Sequence, residues 1–345
     1  IGLIMVLIQM LTAGRYGIFG DEFYYIECAG NLDFGYVDHP PLVAVITQFS
    51  LILFGKSLLG LRFFAAMAGL FTVLLTAAIA GELGGGRFAR SLSAFMILAS
   101  IAFPAIFNFF SMNGFDVMFC CLIIYLLLKI LKGAPTWNWI LLGGVAGLGL
   151  MNKYSVLVLG FAITVGLLLT SHRRHFRTPW PYLAAALALL IFLPHVIWQM
   201  SNGLPTMEFM KNVQLYKNQP LSIPAFFLQL ILAMNPVSIL VWVGGMLFLL
   251  FRKRKSDPDT DSHSSSDVRW LGITVAVFFF VYLRQTAKVY YLFPIMPILL
   301  AAGAVGWEDL LRKGKFRKIS MAYIVLLLIS ATLLEINPDT QERLD

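Results

Sequence analysis

Carboxylates, amines and imidazoles are scarce in this chain and unevenly placed. The stretch DEFYYIECAGNLDFGYVDHPPL, residues 21–42, holds Asp21, Glu22, Glu27, Asp33 and Asp38, five of the 18 acidic residues. No Lys or Arg falls between Asp21 and Gly55. A carboxylate held beside apolar walls can have a raised pKa and act as a general base. Asp21 and Glu22, just after the first apolar run, are the candidates for that work; a solvated acidic loop is the plain alternative. Glu27 and Asp33 read as surface charges. In GYVDHPPL, Pro40-Pro41 suits the first turn of a helix. Asp38 then stands where an N-cap belongs, and the same rigid turn aims His39. Cap and site residue are compatible readings of Asp38.

Further along, Asn113 and Asp116 are three residues apart and share a helix face. A charge at the start of a membrane span is costly unless it has water, a partner or a task. The alternative is an Asn-x-x-Asp start resembling a capping box. Lys153 sits in the tight turn Met151-Asn152-Lys153-Tyr154, either snorkelling to the surface or reaching a lipid phosphate. Arg284 and Lys288 flank a short turn before Tyr290 and Tyr291. Cations there call for an anionic partner, and Arg can grip phosphate bidentately. The expected phosphate group is Lys153, Arg284, Lys288 and Tyr291. The expected substrate contacts are Tyr24, Tyr36, His39, Asn113 and Tyr154. His195 ends a span; with Asp38 and His39 it could share a divalent ion by ligand type, although no ligand spacing supports that. A hydrogen-bonded interfacial histidine is the other reading. Motifs for a serine hydrolase, a P-loop, a zinc protease or a dinucleotide site are absent from the sequence. GELGGGRF, 81–88, reads as a flexible connection.

The elements that must position these groups are membrane helices. The 345 residues are 59% hydrophobic and 13% charged, and mean hydropathy is +0.80; soluble domains carry about 25% charged residues. The expected fold is all-α: a polytopic integral membrane bundle of about eleven transmembrane helices. The spans read as 1–13 (a truncated first helix, not a signal peptide), 58–80, 91–110, 114–131, 137–151, 154–170, 180–199, 224–251, 268–284, 289–306 and 319–335. Pro236 predicts a kink or an interfacial start in the eighth. Residues 40–55 fit an interfacial or re-entrant helix. The whole chain, 1–345, reads as one domain. It has a first external loop with interfacial helices at 14–57, a cytoplasmic polar linker at 252–267 and a short external tail at 336–345. Cysteines 28, 120 and 121 suggest no disulfide framework.

Most of the 26 Lys and Arg residues fall on alternate connections, which the positive-inside rule places in the cytoplasm. That accounts for the formal charge of +8 without a nucleic-acid partner. The acidic stretch, Asp116, Lys153, His195, Arg284 and Lys288 then share the outer side.

Taken in order, the Asp-Glu loop, GYVDHPPL, FSMNGFDVMF, the MNKYS turn, LPHVIWQMSNGLPTMEF and RQTAKVYYLFPIMPILLAAGA resemble the GT-C membrane glycosyltransferases. The likeness is to the bacterial branch related to protein O-mannosyltransferases and the lipid A aminoarabinose transferase. The resemblance implies inverting transfer of a sugar from a polyprenyl-phosphate carrier to a hydroxyl of a lipid, glycan or protein. It places that transfer at the outer face of the cytoplasmic membrane, with the site toward the periplasm or cell exterior. It implies Asp21 as base, Asp116 as a second acid and Lys153 at the carrier phosphate. In some relatives the acid matching Asp38 helps bind a divalent metal, so such an ion is a candidate cofactor and no other is expected. His39 stands where some relatives have Lys. Many relatives also carry a C-terminal outer-face domain after the last helix. The rival reading is a transporter or flippase of lipid-linked sugars, which calls for midplane charges, inverted repeats and interrupted helices. A membrane scaffold is a third. The sequence leaves sugar and acceptor open.

Overall fold

The computed structural model describes residues 1–15, 17–217, 222–252, 267–285 and 288–312, with isolated positions among 323–330. Among the described residues all regular structure is helical, as expected. The helices are α1 (Gly2–Thr12), α2 (Gly20–Gly30), α3 (Leu42–Phe54), α4 (Leu58–Glu82), α5 (Arg87–Ala99), α6 (Ala102–Asn108), α7 (Met112–Leu131), α8 (Trp137–Leu150), α9 (Ser155–Leu168), α10 (Trp180–Ser201), α11 (Pro205–Asn212), α12 (Ile223–Ala233), α13 (Ile239–Phe251), α14 (Arg269–Arg284) and α15 (Met296–Arg312). A 3-10 segment, Val289–Ile295, leads into α15. Four spans among the described residues are long and apolar enough to cross a membrane, or seven if each bent pair is one crossing. The expected linker and tail fall almost wholly outside the described residues, as does most of the expected last span at 319–335.

Two spans form the centre of the bundle. In the apolar window of α7, 78% of residues are buried, and in Val289–Arg312, 83%; in α10 the figure is 28%. Small residues set the closest crossings, as they do where no hydrophobic drive separates protein from lipid. Gly245 of α13 lies against the backbone of Leu299, and Gly303 of α15 against that of Val241, so either Cβ would collide with main chain. Helices α2 and α3 lie in the first loop. Helix α3 buries Val43, Ala44, Thr47 and Ser50 and exposes Val45, Phe49, Ile52 and Leu53. That fits the interfacial reading of 40–55.

Two expected spans are broken. The run at 91–110 divides into α5 and α6, bent by 66°. Ser100 makes the break: its hydroxyl donates to Ile97 C=O and accepts from Phe103 N–H, replacing helix bonds with local ones. The run at 224–251 divides into α12 and α13, bent by 103°. There Asn235 takes a positive φ of 69° just before Pro236. The two breaks meet. Ile101 N–H donates to Ala233 C=O at 3.1 Å, and Asn235 Nδ2 donates to Ala99 C=O at 3.1 Å. Asn235 Oδ1 accepts from Val237 N–H at 3.1 Å. Backbone groups freed inside an apolar bundle must find such partners. Interrupted helices were one mark of the transport reading; protein partners at both breaks give them a structural cause here.

Asn235→Leu removes the side-chain hydrogen bonds to Ala99, Val237 and Ser330 and forces a branched residue to positive φ. We expect a loss of about 1–3 kcal/mol as a lowered thermal midpoint in detergent. Asn235→Gly, which relieves only the strain, should recover part of it.

Candidate active site

At the start of helix α2 the Glu22 carboxylate accepts from Phe19 N–H at 2.8 Å. The Glu22 carboxylate is fully buried. Arg62 of α4 grips it bidentately, Nε to Oε1 and Nη2 to Oε2, both at 2.8 Å. Phe110 N–H donates to Oε1 at 2.9 Å. Arg62 also donates to the carbonyls of Ala13 and Gly17. One ion pair thus ties the end of α1, the start of α2, α4 and the α6–α7 junction. Four donors occupy Glu22, so the structure corrects its expected catalytic part: the residue is a buried staple. Successive helix residues point about 100° apart, from 3.6 per turn. With Glu22 turned inward, its neighbour Asp21 is exposed, and its charge is felt at Tyr25, His39 and Tyr290.

The second group forms where α7 meets the α8–α9 turn. Lys153 Nζ donates to Asn113 Oδ1 at 2.7 Å and lies 3.5 Å from Asp116 Oδ2. Tyr290 and Tyr291 face the ammonium at 5.3 and 5.1 Å from their ring centroids, within cation–π range. Tyr291 stacks on Tyr282 and on Tyr290 at 5.4 and 4.6 Å. Ser155 donates a short hydrogen bond to Asp116 Oδ1. Lys153 is 8% exposed and Asp116 1%. A buried charge pair persists in an apolar bundle only when each ion has partners. Asn113 and Asp116 do share a face, and both serve Lys153. The capping alternative falls away because Ser111 is the N-cap of α7, accepting from Asn113 N–H at 3.2 Å. The turn is pinned further by Asn152 Nδ2, which donates to Met112 C=O at 2.9 Å.

The rigid turn of the first loop lies against these groups. Leu42 N–H, first in α3, donates to Met151 C=O at 2.8 Å, two residues before Lys153. The cap position of α3 is Pro41 and makes no side-chain bond, so Asp38 is not the cap. Instead Tyr24 donates its hydroxyl to Asp38 Oδ1 at 2.6 Å. Burial and that contact push the Tyr24 phenol up. His39 is fully buried, with Nδ1 2.7 Å from Pro40 C=O and its ring against Tyr24, Tyr25 and Tyr36. The Nδ1–H therefore donates and leaves Nε2 an acceptor, 3.9 Å from Asp38 Oδ1. Burial holds the imidazole below the ordinary histidine range; the Pro40 bond and the Asp38 and Asp21 charges pull the other way.

Several expected site residues have other work. The Tyr36 hydroxyl donates to Cys28 C=O at 2.9 Å and accepts from Asp33 N–H, clasping the loop. Tyr154 donates to His195 Nε2 at 2.6 Å, and His195 Nδ1–H donates to Phe34 C=O at 2.8 Å. Both ring nitrogens are engaged, so His195 does not fit the expected metal role. Among the described residues no group of three His, Cys, Asp or Glu could hold an ion. Asp33 is no idle surface charge, since it accepts from Trp198 Nε1 at 2.7 Å. Arg284 and Lys288 are exposed, and neither side chain forms a hydrogen bond or ion pair among the described residues. Arg62, Tyr25, Asn152 and Tyr282 were missed. An arginine within LLGLRFFAAM was the one available signal.

Tyr290 thus faces Lys153 and lies within range of the Asp21 charge. With that geometry in view, comparison with known proteins bears on the fold. A family model described as dolichyl-phosphate-mannose-protein mannosyltransferase matches residues 38–198. The structure of ArnT from Cupriavidus metallidurans bound to undecaprenyl phosphate matches with a TM-score of 0.73 at 18% identity. The match covers 94% of this chain and 62% of that one. Its apo form matches with a TM-score of 0.68 at 17% identity, over 93% and 61%. The chain therefore spans less than two thirds of the length of that protein. No curated protein matches it in sequence. The fold is that of the polytopic GT-C membrane glycosyltransferases. Within them the chain resembles the branch of the protein mannosyltransferases and ArnT.

Arg62→Ala strands the Glu22 carboxylate in the bundle. The expected cost is about 3–5 kcal/mol, seen as loss of folded, monodisperse protein in detergent. Glu22→Gln, which keeps an acceptor oxygen, should cost less. His39 supplies a pH dependence. Its unfolded pKa is about 6.5 and its folded one lower, so between the two the unfolded chain binds the extra proton. Stability is full above about pH 6.5 and declines as pH falls through the folded value. Thermal midpoints at descending pH should fall less steeply in His39→Gln than in the parent.

Proposed function

We propose that this protein is an inverting glycosyltransferase. It moves a sugar from a polyprenyl-phosphate carrier to an acceptor hydroxyl, on a lipid, glycan or protein, at the outer face of the cytoplasmic membrane. The observation that carries the reading is the buried Lys153 ammonium, held by Asn113 and Asp116 and walled by Tyr290 and Tyr291, with the exposed Asp21 within electrostatic range of Tyr290. The match to the mannosyltransferase family model over 38–198 supports it. So does the fold shared with ArnT, whose crystal structure holds undecaprenyl phosphate.

The chemistry divides between the two groups. Asp21 takes the proton from the acceptor hydroxyl. The hydroxyl oxygen attacks the anomeric carbon. The bond from that carbon to the carrier phosphate breaks, its electron pair going to the phosphate oxygen. Lys153 has three N–H donors; Asn113 takes one and Asp116 faces another. The remaining one, with Arg284 and Lys288, meets the charge growing on the leaving phosphate. Placed donors of this kind are worth a few kcal/mol each. Asp116 balances the charge of the buried ammonium, and Asn113 aims it. The donor is already activated by its phosphate link, so the chain needs no nucleotide site. The described residues do not form the expected Asp38–His195 metal site, and no step is routed through an ion. The excess of basic residues on the opposite connections supports an outward site.

Asp21→Asn should lower transfer from a radiolabelled polyprenyl-phosphate sugar by about 10²–10⁴-fold while donor binding stays. Transfer at the parent rate would remove Asp21 from the base role. Lys153→Met, made with Asp116→Asn so that no lone charge is buried, should weaken binding of the polyprenyl phosphate. Unchanged affinity would count against the phosphate grip.

A further inference from the structure

The loop carrying Asp38 and His39 is docked on α10 by a set of contacts outside the reaction just described. Trp198 Nε1 donates to Asp33 Oδ2 at 2.7 Å. His195 Nδ1–H donates to Phe34 C=O at 2.8 Å. Between them Gly35 sits so close that a Cβ would lie 2.7 Å from His195 Nδ1 and 2.8 Å from Trp198 Cδ2. On the other side of the same imidazole, Nε2 accepts the Tyr154 hydroxyl at 2.6 Å. Gln199 Nε2 donates to Thr206 Oγ1 at 2.6 Å, and Thr206 Oγ1 lies 3.2 Å from the Tyr154 hydroxyl. Tyr154 is the residue after Lys153. The loop returns to the same turn through the Leu42 to Met151 bond. His195 therefore touches both halves of the candidate site at once: the loop by one nitrogen and the Lys153 turn by the other. It is fully buried.

We infer that His195 is a positioning residue: its neutral imidazole, donating to Phe34 and accepting from Tyr154, fixes the first loop at a set distance from the Lys153 turn. The inference rests on the transferase reading for its kinetic consequence, while the docking itself does not. Two hydrogen bonds of opposite sense demand a group that donates at one end and accepts at the other. Neutral histidine and glutamine meet that demand; phenylalanine of similar bulk does not. A small misplacement at a site built from two elements costs rate more than binding.

The test uses the full chain in proteoliposomes with a polyprenyl-phosphate sugar donor. His195→Phe should lower kcat by about 10²-fold with little change in donor KM, and His195→Gln should recover most of that loss. Tyr154→Phe should resemble His195→Phe, and the double variant should be no worse than the worse single one, because both break one connection. A loss carried by KM alone, failure of Gln to do better than Phe, or multiplying losses would overturn the proposal. Hydrogen–deuterium exchange without substrate provides an arm independent of chemistry. Amides of residues 34–42 should exchange faster in His195→Phe than in the parent and in His195→Gln. Equal exchange in all three would overturn the docking. If the parent transfers no sugar from such donors, the transferase reading fails and the exchange result still decides the clamp.

Discussion

The site depends on how this chain buries one carboxylate. Glu22 and Arg62 are a charge pair within an apolar bundle, where an unpaired ion would cost several kcal/mol. The pair is kept because every lone pair of Glu22 has a donor, and Arg62 extends to two further carbonyls. It fixes the start of α2 against α4 and against the chain entering α7. The orientation of α2 follows: Glu22 faces inward and its neighbour Asp21 is exposed. A residue that does no chemistry in this account thereby decides which acid is available.

The Asp116–Lys153 group follows the same rule in another form. Asp116 and Lys153 are buried together, and their partners come from three elements: Asn113 on α7, Ser155 at the start of α9, and the tyrosines before α15. Each partner lowers the cost of keeping the ammonium in low dielectric. The helix breaks obey this economy as well. Asn235 and Ser100 supply hydrogen bonds where α13 and α5 lose theirs, so irregular backbone survives inside the bundle.

Much of this was legible in the sequence, and what was hidden has physical reasons. Asn113, Asp116 and Lys153 could be read because an i, i+3 pair and a tight turn between apolar runs restrict geometry locally. The interfacial α3 could be read from the length of its apolar run. Glu22 and Asp21 could not be separated, since adjacent acids look alike until the rotation of their helix is known. Arg62 hid within an apolar run whose composition says nothing of a partner 40 residues away. His195 suggested a metal because ligand type is visible while its bond to Phe34 spans 161 residues. Pro236 announced the bend in the span at 224–251, while its size of 103° depends on the positive φ of Asn235, which the sequence does not display. The fold was clearer than the site, since hydropathy is a property of segments and a catalytic arrangement is a property of distances.

The central claim is that one lipid phosphate lies between Lys153 and Asp21. The most direct test is a cryo-EM structure of the full chain with a polyprenyl phosphate bound. The account predicts the phosphate within hydrogen-bond reach of Lys153 Nζ, beside Tyr290 and Tyr291, with the Asp21 carboxylate facing it across the space the sugar would fill. A phosphate bound away from the α8–α9 turn, or with Asp21 on the same side as Lys153, would contradict it.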